Sequence, residues 1–139
     1  MSAEAFLDTN VLVYAFDRSD PARHEAARRL VGELIDSRRA VVSVQVLKEF
    51  YVVSTRKVAA PLSHDEAVRV VEDLARLTVV EDSLALLARA LELAGRNRIS
   101  LWDASIVAAA AAAGCGALYS EDLAAGATLG GVRVVNPFA

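Results

Sequence analysis

The sequence has few cysteine, histidine and aromatic residues, and each shortage excludes or disfavours a kind of site or core. Its 139 residues contain one cysteine, Cys115, which excludes an internal disulfide; its apolar surroundings predict a buried, unreactive thiol. The two histidines, His24 and His64, fall on predicted polar helix faces, which disfavours a zinc site. Aromatic residues make up 6% of the chain, and the abundance of alanine favours closely packed helices over a large aromatic core.

Long apolar runs and an excess of basic charge are also missing. The longest apolar run, 106–119, is shorter than the roughly 20 residues of a membrane span and contains two glycines. The N-terminus lacks the basic and apolar regions of a signal peptide, so we expect a cytoplasmic protein with no membrane partner. The formal net charge of −3 argues against nucleic-acid binding through overall charge, but binding follows local patches, so charge alone decides nothing.

The apolar residues that are present predict an α/β fold. Short apolar strands alternate with segments of helical periodicity, which is typical of a central parallel sheet covered by helices. We find no internal repeat and no linker, and therefore expect a single domain over 1–139 with about five short strands. The predicted strands are 5–7, 40–42, 78–80, 117–119 and 132–135, and the predicted helices are 10–17, one from Pro21, 44–58, 63–77, 83–97 and 100–114.

Two acidic residues follow strands of this predicted sheet. Asp8 directly follows the first strand, and Asp122 lies three residues after the fourth, beyond Ser120 and Glu121. Ligands bind beyond the carboxyl ends of the strands in open parallel sheets. Both acids are therefore expected at the ligand-binding edge.

Two further acids lie on predicted helices but near the apolar face. Glu49 borders the stripe that contains Val46 and Val53, and Asp103 shares a face with Ile106 and other apolar residues. Unpaired buried carboxylates are costly, so their placement calls for a compensating group.

Each acid also has a structural explanation of its own. Asp8 could cap the following helix, Asp103 could complete a capping box with Ser100, and Glu49 could pair with a neighbouring lysine or arginine. Asp122 and Glu121 could favour the positive end of a helix that starts at Ser120. No single one of these acids decides the function.

Taken together, the acids predict a divalent metal site. Two carboxylates about 4 Å apart repel by roughly 4 kcal/mol at an effective dielectric near 20. Several acids at one edge would cost much of the folding free energy unless a cation neutralised them. Oxygen ligands without histidine or cysteine suit Mg²⁺ or Mn²⁺.

Four segments, in order along the chain, resemble the motifs of PIN-domain nucleases. They are the segments around Asp8 (6–15), Glu49 (43–50), Asp103 (102–110) and Asp122 (118–123). The resemblance covers nearly the whole chain, and its length is most similar to the VapC toxins of type II toxin–antitoxin pairs.

The resemblance implies a fold, an activity and partners. It implies a three-layer α/β/α domain and a Mg²⁺-dependent endoribonuclease, with Mn²⁺ as an alternative ion, that hydrolyses RNA phosphodiesters with a metal-activated water. It also implies a homodimer that is inhibited by a cognate antitoxin. Asp8, Glu49, Asp103 and Asp122 would be the catalytic and metal-binding residues, while Thr9, Asn10 and Ser120 would orient them through hydrogen bonds.

Several finer interpretations accompany this reading. Glu121 is interpreted as a helix-end charge. Candidate phosphate contacts are Arg18, Arg38, Arg39 and Arg98, and the candidate antitoxin-docking surface is Tyr51, Val52, Val53, Pro61 and Leu62. Two other functions stay open: a non-catalytic binding module of the same fold, and a phosphatase or receiver domain that is phosphorylated on aspartate.

Overall fold

Helices and strands alternate along the chain in the order that the periodicity predicts. The structure, a computed structural model, describes residues 4–139. Its elements are β1 (Ala5–Leu7), α1 (Thr9–Phe16), α2 (Pro21–Asp36), β2 (Ala40–Ser43), α3 (Val44–Arg56), α4 (His64–Leu74), β3 (Thr78–Val80), α5 (Leu84–Asn97), α6 (Leu101–Ala112), β4 (Ala117–Tyr119), β5 (Thr128–Leu129) and β6 (Val132–Val135).

Side-chain caps fix where most of the helices begin. The Ser43, Ser83 and Ser100 hydroxyls each accept a hydrogen bond from the backbone N–H three residues later, at the starts of α3, α5 and α6. Ser63 and Glu66 form the full reciprocal capping box at α4. That helix ends at Leu74, three residues before its predicted end.

The strands form one mostly parallel sheet in the order β3-β2-β1-β4-β6-β5. From β1 the chain first adds β2 and β3 on one side and then returns to place β4 on the other side. The chain thus reverses its direction of strand addition between the paired strands β1 and β4. This position is the topological switch point, where open α/β sheets bind ligands beyond the strand ends. This topology brings Asp8 and Ser120, which are far apart in the sequence, next to each other in the fold.

The sheet has six strands, one more than predicted. The additional strand β5 pairs antiparallel with β6 through Gly130 and Gly131, which both have positive φ, 55° and 82°. Two glycines with positive φ between paired strands suit a two-residue hairpin. The strand was missed because its two residues, Thr128 and Leu129, are too few to give a recognisable alternation.

The central strands are buried, which matches their uninterrupted apolar sequences. Phe6, Leu7, Val41 and Leu118 have no measurable exposure, as expected where helices cover the sheet. Cys115 is also buried, and desolvation raises the pKa of its thiol to about 12, consistent with an unreactive side chain. Within residues 4–139, no helix combines the length and apolar character that a membrane span needs.

Candidate active site

The switch point is occupied by a buried carboxylate. Asp8 is the residue after β1 and the N-cap of α1, and it is only 8% exposed. Its Oδ1 accepts a hydrogen bond of 2.7 Å from the Thr9 backbone N–H. Its Oδ2 accepts one of 2.7 Å from the hydroxyl of Ser120, the fully buried residue after β4. Asp8 therefore caps α1 and also lies at the ligand-binding edge of the sheet.

The surroundings of Asp8 disfavour its charge. The pKa of this carboxyl is raised to about 6, mainly by burial and to a smaller extent by the nearby charges of Glu49 and Asp122. The hydrogen bonds from Ser120 and Thr9 act in the opposite direction. At neutral pH, Asp8 is therefore ionised at a cost to the fold that a nearby cation would remove.

A neutral donor also holds Glu49. The Thr9 hydroxyl on α1 donates a hydrogen bond of 2.9 Å to Glu49 Oε1 on α3. The expected alternative, a salt bridge to lysine or arginine, is not formed by Glu49 in the part of the chain that the structure describes. Thr9, the first residue of α1, thus links Asp8 and Glu49 without cancelling their charge.

The Asn10 side chain fixes the segment that follows β4. Its Nδ2 donates to Asp122 Oδ2 over 3.0 Å, while its Oδ1 accepts from the Glu121 backbone N–H over 3.2 Å. The Ser120 hydroxyl oxygen accepts from the Asp122 backbone N–H over 3.2 Å. Asn10 and Ser120 together hold Asp122 beside Asp8, and the Asp122 carboxylate forms no salt bridge with any residue of 4–139.

Asp103 contributes from the first turn of α6. Its backbone N–H donates to the Ser100 hydroxyl over 3.0 Å. The reciprocal bond of a capping box, from the Ser100 N–H to the Asp103 carboxylate, is not made within residues 4–139, in contrast to the Ser63–Glu66 pair. The carboxylate of Asp103 is therefore available to bind a ligand in the cleft.

These side chains line a single open cleft of about 830 Å³. Asp8, Glu49, Asp103 and Asp122 all contribute to its wall, and we call them the cluster acids. None of the four forms a salt bridge with a lysine or arginine of residues 4–139. Other residues in the wall include Thr9, Asn10, Gln45, Lys48, Lys57, Trp102 and Glu121.

The interpretation of Glu121 as a helix-end charge is wrong. The segment after Ser120 consists of bends and turns, with no helix for either Glu121 or Asp122 to stabilise. Glu121 instead accepts a hydrogen bond of 2.6 Å from Nε of Arg23 on α2. Arg23 also donates to Asp20 over 3.0 Å, so this guanidinium neutralises a second acidic group at the edge of the cleft.

The structure departs from the other sequence-based suggestions, which concerned the phosphate-contacting arginines, the histidines and the antitoxin-docking surface. The arginines suggested as phosphate contacts do not line the cleft; its wall has Lys48 and Lys57 instead. The His24 ring contacts the Tyr14 carbonyl at 2.9 Å and the His64 ring contacts the Tyr51 hydroxyl at 2.8 Å, so neither is simply solvated. In the suggested docking surface, Val52 is exposed, whereas Val53 and Leu62 pack against the core.

The donor set of the cleft fits a hard divalent cation in its chemistry. It offers carboxylate oxygens that are held by neutral hydroxyl and amide donors, and one carboxylate is buried and destabilised by its neighbours. As the side chains stand, however, no three acidic, histidine or cysteine groups within residues 4–139 converge into a preformed metal site. The roles of the cluster acids as metal ligands and catalysts stay predictions.

Comparison with protein families identifies the domain. Residues 5–125 match the family model described as PIN domain. This chain belongs to the PIN domain family. The matched range includes all four cluster acids, so the arrangement described above lies within the PIN domain itself. A comparison with curated proteins gave no match.

Solved structures of VapC toxins share the fold. VapC20 of Mycobacterium tuberculosis, a sarcin-ricin loop cleaving toxin, is 24% identical, with a TM-score of 0.67 over 86% of this chain and 90% of its own. A toxin-antitoxin complex from Klebsiella pneumoniae gives 20% identity and 0.68 over 96% and 98%. VapBC2 from Rickettsia felis, bound to a DNA fragment from its promoter, gives 17% and 0.66 over 94% and 96%. These similarities confirm the predicted mixed α/β PIN fold.

Proposed function

We propose that this PIN domain is a divalent-metal-dependent endoribonuclease and the toxin of a VapBC-type toxin–antitoxin pair. The observation that carries the proposal is the cleft at the switch point, where four carboxylates from distant parts of the chain line one wall and form no salt bridge within residues 4–139. Burial beside other acids raises the pKa of Asp8 to about 6, a cost to the fold that helix capping alone does not require.

The chain's own residues would prepare the cleft for an ion. Asp8, Glu49, Asp103 and Asp122 would hold Mg²⁺ or Mn²⁺, or the waters around it, while Thr9, Asn10 and Ser120 orient three of these carboxylates. Since no preformed site exists in residues 4–139, ion binding would include a rearrangement of the partly exposed acids. The buried Asp8, held from both sides, would be the fixed point of that rearrangement.

The bound ion would supply a water of lowered pKa and stabilise charge on the phosphodiester. The protein would supply the rest. Lys48 and Lys57 in the cleft wall would attract the RNA backbone toward an otherwise acidic site. Hydrogen bonds through Thr9, Asn10 and Ser120 would keep the carboxylates from turning away as the substrate enters.

The RNA substrate, the antitoxin and a homodimer are parts of this proposal. VapC20, which shares the fold, is a sarcin-ricin loop cleaving toxin, and this supports an RNA target. The Klebsiella and Rickettsia structures are toxin–antitoxin assemblies, and these support a protein inhibitor encoded with this chain.

The direct test is cleavage of total RNA by the purified protein with Mg²⁺, with Mn²⁺ and with EDTA. We expect metal-dependent cleavage that is abolished by EDTA and strongly reduced by Asp8→Asn, in a variant that remains folded by circular dichroism. Asp20→Asn is the matched control, because Asp20 lines the same cleft but is bound to Arg23. Absence of cleavage with every metal would favour the binding module, and an acyl-phosphate on Asp8 would favour the phosphatase or receiver.

A further inference from the structure

A largely exposed tryptophan lies beside the cluster acids. Trp102, at the start of α6, is 68% exposed and immediately precedes Asp103. Trp102 lines the same cleft as Asp8, and its backbone carbonyl accepts a long hydrogen bond of 3.4 Å from the Gln45 side chain. An indole is normally largely buried, so one left open to a cleft is a candidate contact for a ligand.

The composition of the cleft wall indicates what that ligand is. The wall that Trp102 shares also contains Lys48 and Lys57, which form no salt bridge with the acids of residues 4–139. An aromatic face together with free cations is the combination with which proteins bind single-stranded nucleic acid, since bases stack on the ring and phosphates meet the cations. At about 830 Å³, the cleft is far larger than a metal ion and its waters require.

A protein partner is the competing occupant of this surface. Leu84, Leu87 and Leu91 on α5 are also exposed, and Leu87 shares a shallow depression with Trp102. However, Leu84, Leu87 and Leu91 do not line the acidic cleft, whereas Trp102 and Lys48 line both. The lysines and carboxylates in the wall that Trp102 shares favour a nucleotide over an apolar protein surface.

We infer that Trp102 is a base-stacking residue, and that it holds an unpaired nucleobase beside the carboxylates while Lys48 and Lys57 contact the flanking phosphates. This inference rests on the proposed nuclease function and narrows its substrate to single-stranded or looped RNA. A base within a duplex is stacked on its neighbours and is not available to an indole, so duplex RNA would not satisfy this contact.

The chain has one tryptophan, and its fluorescence therefore reports on Trp102 alone. The first experiment titrates the full-length Asp8→Asn variant, in EDTA, with a short single-stranded oligoribonucleotide, its duplex, and an abasic ribose-phosphate oligomer of equal length. We expect saturable quenching by the single strand and much weaker quenching by the other two. No quenching by the single strand, or equal quenching by the abasic oligomer, would overturn the inference.

A dilution series tests whether a second copy of this chain covers Trp102. If Trp102 is free to bind RNA, its emission in the absence of RNA is independent of protein concentration. A blue shift that grows with concentration would place the ring in an interface between copies of the chain and would overturn the inference.

The second experiment measures RNA cleavage by variants that differ from the wild type at one residue, with Asp8 and the other cluster acids intact. Base–aromatic stacking is worth about 1–3 kcal/mol per base, so Trp102→Ala should raise KM roughly 5- to 150-fold with little change in kcat. Trp102→Phe should recover most of this loss because a phenyl ring still stacks, and Leu91→Ala on α5 should leave KM unchanged. An unchanged KM for Trp102→Ala would contradict the inference. If the wild-type protein cleaves nothing, the proposed function fails, and the fluorescence result still decides the stacking role.

Discussion

Two groups of acids meet at the same cleft and are held in opposite ways. The cluster acids Asp8, Glu49 and Asp122 accept hydrogen bonds from uncharged serine, threonine and asparagine side chains. Asp20 and Glu121, which also line the cleft, are bound by the guanidinium of Arg23. Neutral donors orient a carboxylate without cancelling its charge, whereas arginine does both. The difference separates acids arranged to receive a cation from acids that already have one.

One acid from each group, Asp8 and Asp20, shows the same contrast in the direction of its pKa shift. Burial, followed by the charges of Glu49 and Asp122, raises the pKa of Asp8 to about 6. The Arg23 backbone N–H, assisted by its side chain, lowers the pKa of Asp20. Strongly perturbed pKa values cluster at functional sites, which is consistent with a role for Asp8 in this one.

The largest expected effect is the loss of activity in Asp8→Asn. We expect RNA cleavage to fall roughly 100- to 1000-fold, because metal ions contribute several kcal/mol of transition-state stabilisation. Asp20→Asn should retain most of the activity, since asparagine still caps α2 and the cluster acids are untouched. Equal losses in the two variants, measured under single-turnover conditions, would remove the distinction between the two groups.

The same substitution should increase the stability of the metal-free protein. The shift of the Asp8 pKa from 3.8 to about 6 corresponds to at most about 3 kcal/mol of unfolding free energy that is lost when the group ionises. Asp8→Asn should therefore raise Tm in EDTA, and Mg²⁺ should raise Tm in the wild type but much less in the variant. Thermal unfolding with and without Mg²⁺ measures both; a lower Tm for the variant in EDTA would contradict the account.

The pH dependence follows from the sign of this shift. Because the carboxyl binds its proton more tightly in the folded state, the contribution of Asp8 to stability is full below pH 3.8 and is lost as pH rises to about 6. The difference in unfolding free energy between Asp8→Asn and the metal-free wild type should therefore grow across this window and level off above it. Urea unfolding at a series of pH values tests this, and a constant difference would contradict it.

An intermediate effect is expected for Ser120→Ala. The fully buried Ser120 hydroxyl donates to Asp8 and accepts the Asp122 backbone N–H, so its loss disturbs both acids. Removing such an orienting group typically costs about 10- to 100-fold in metal affinity or activity. Ser120→Thr, which keeps the hydroxyl, should recover part of the loss. If Ser120→Ala bound Mn²⁺ and cleaved RNA like the wild type, the orienting role of this residue would be wrong.

The smallest effect is expected for Arg23→Gln. Its ion pairs with Asp20 and Glu121 are partly exposed, and such pairs contribute little to stability. We expect nearly unchanged Tm and metal affinity, with any change in cleavage appearing in KM. A large loss of metal affinity would show that the two groups of acids act as one.

The sequence was sufficient to predict most of the framework. Alternation of short apolar strands with amphipathic helices placed five of the six strands within a residue of their observed bounds, because strands buried on both faces leave uninterrupted apolar segments. β5 was not predicted, although Gly130 and Gly131 were a visible turn signal next to it. Local chemistry therefore predicted elements well wherever the element was long enough to have a pattern.

The arrangement around the acids was less accessible from the sequence. The Thr9–Glu49 bond joins residues 40 apart and the Asn10–Asp122 bond joins residues 112 apart, and no local pattern encodes such pairs. The pairing of Glu121 with Arg23 was missed for the same reason, and a helix was assigned where turns occur. The exposure of Trp102 also depends on tertiary packing, since its apolar neighbours on α6 are mostly buried.

Direct titration with Mn²⁺, followed through the electron paramagnetic resonance signal of the free ion, tests the central claim without requiring a substrate. The account predicts saturable Mn²⁺ binding at neutral pH by the wild type and by Asp20→Asn, with strong weakening in Asp8→Asn. Binding that is equal in Asp8→Asn and the wild type, or absent from both, would contradict it.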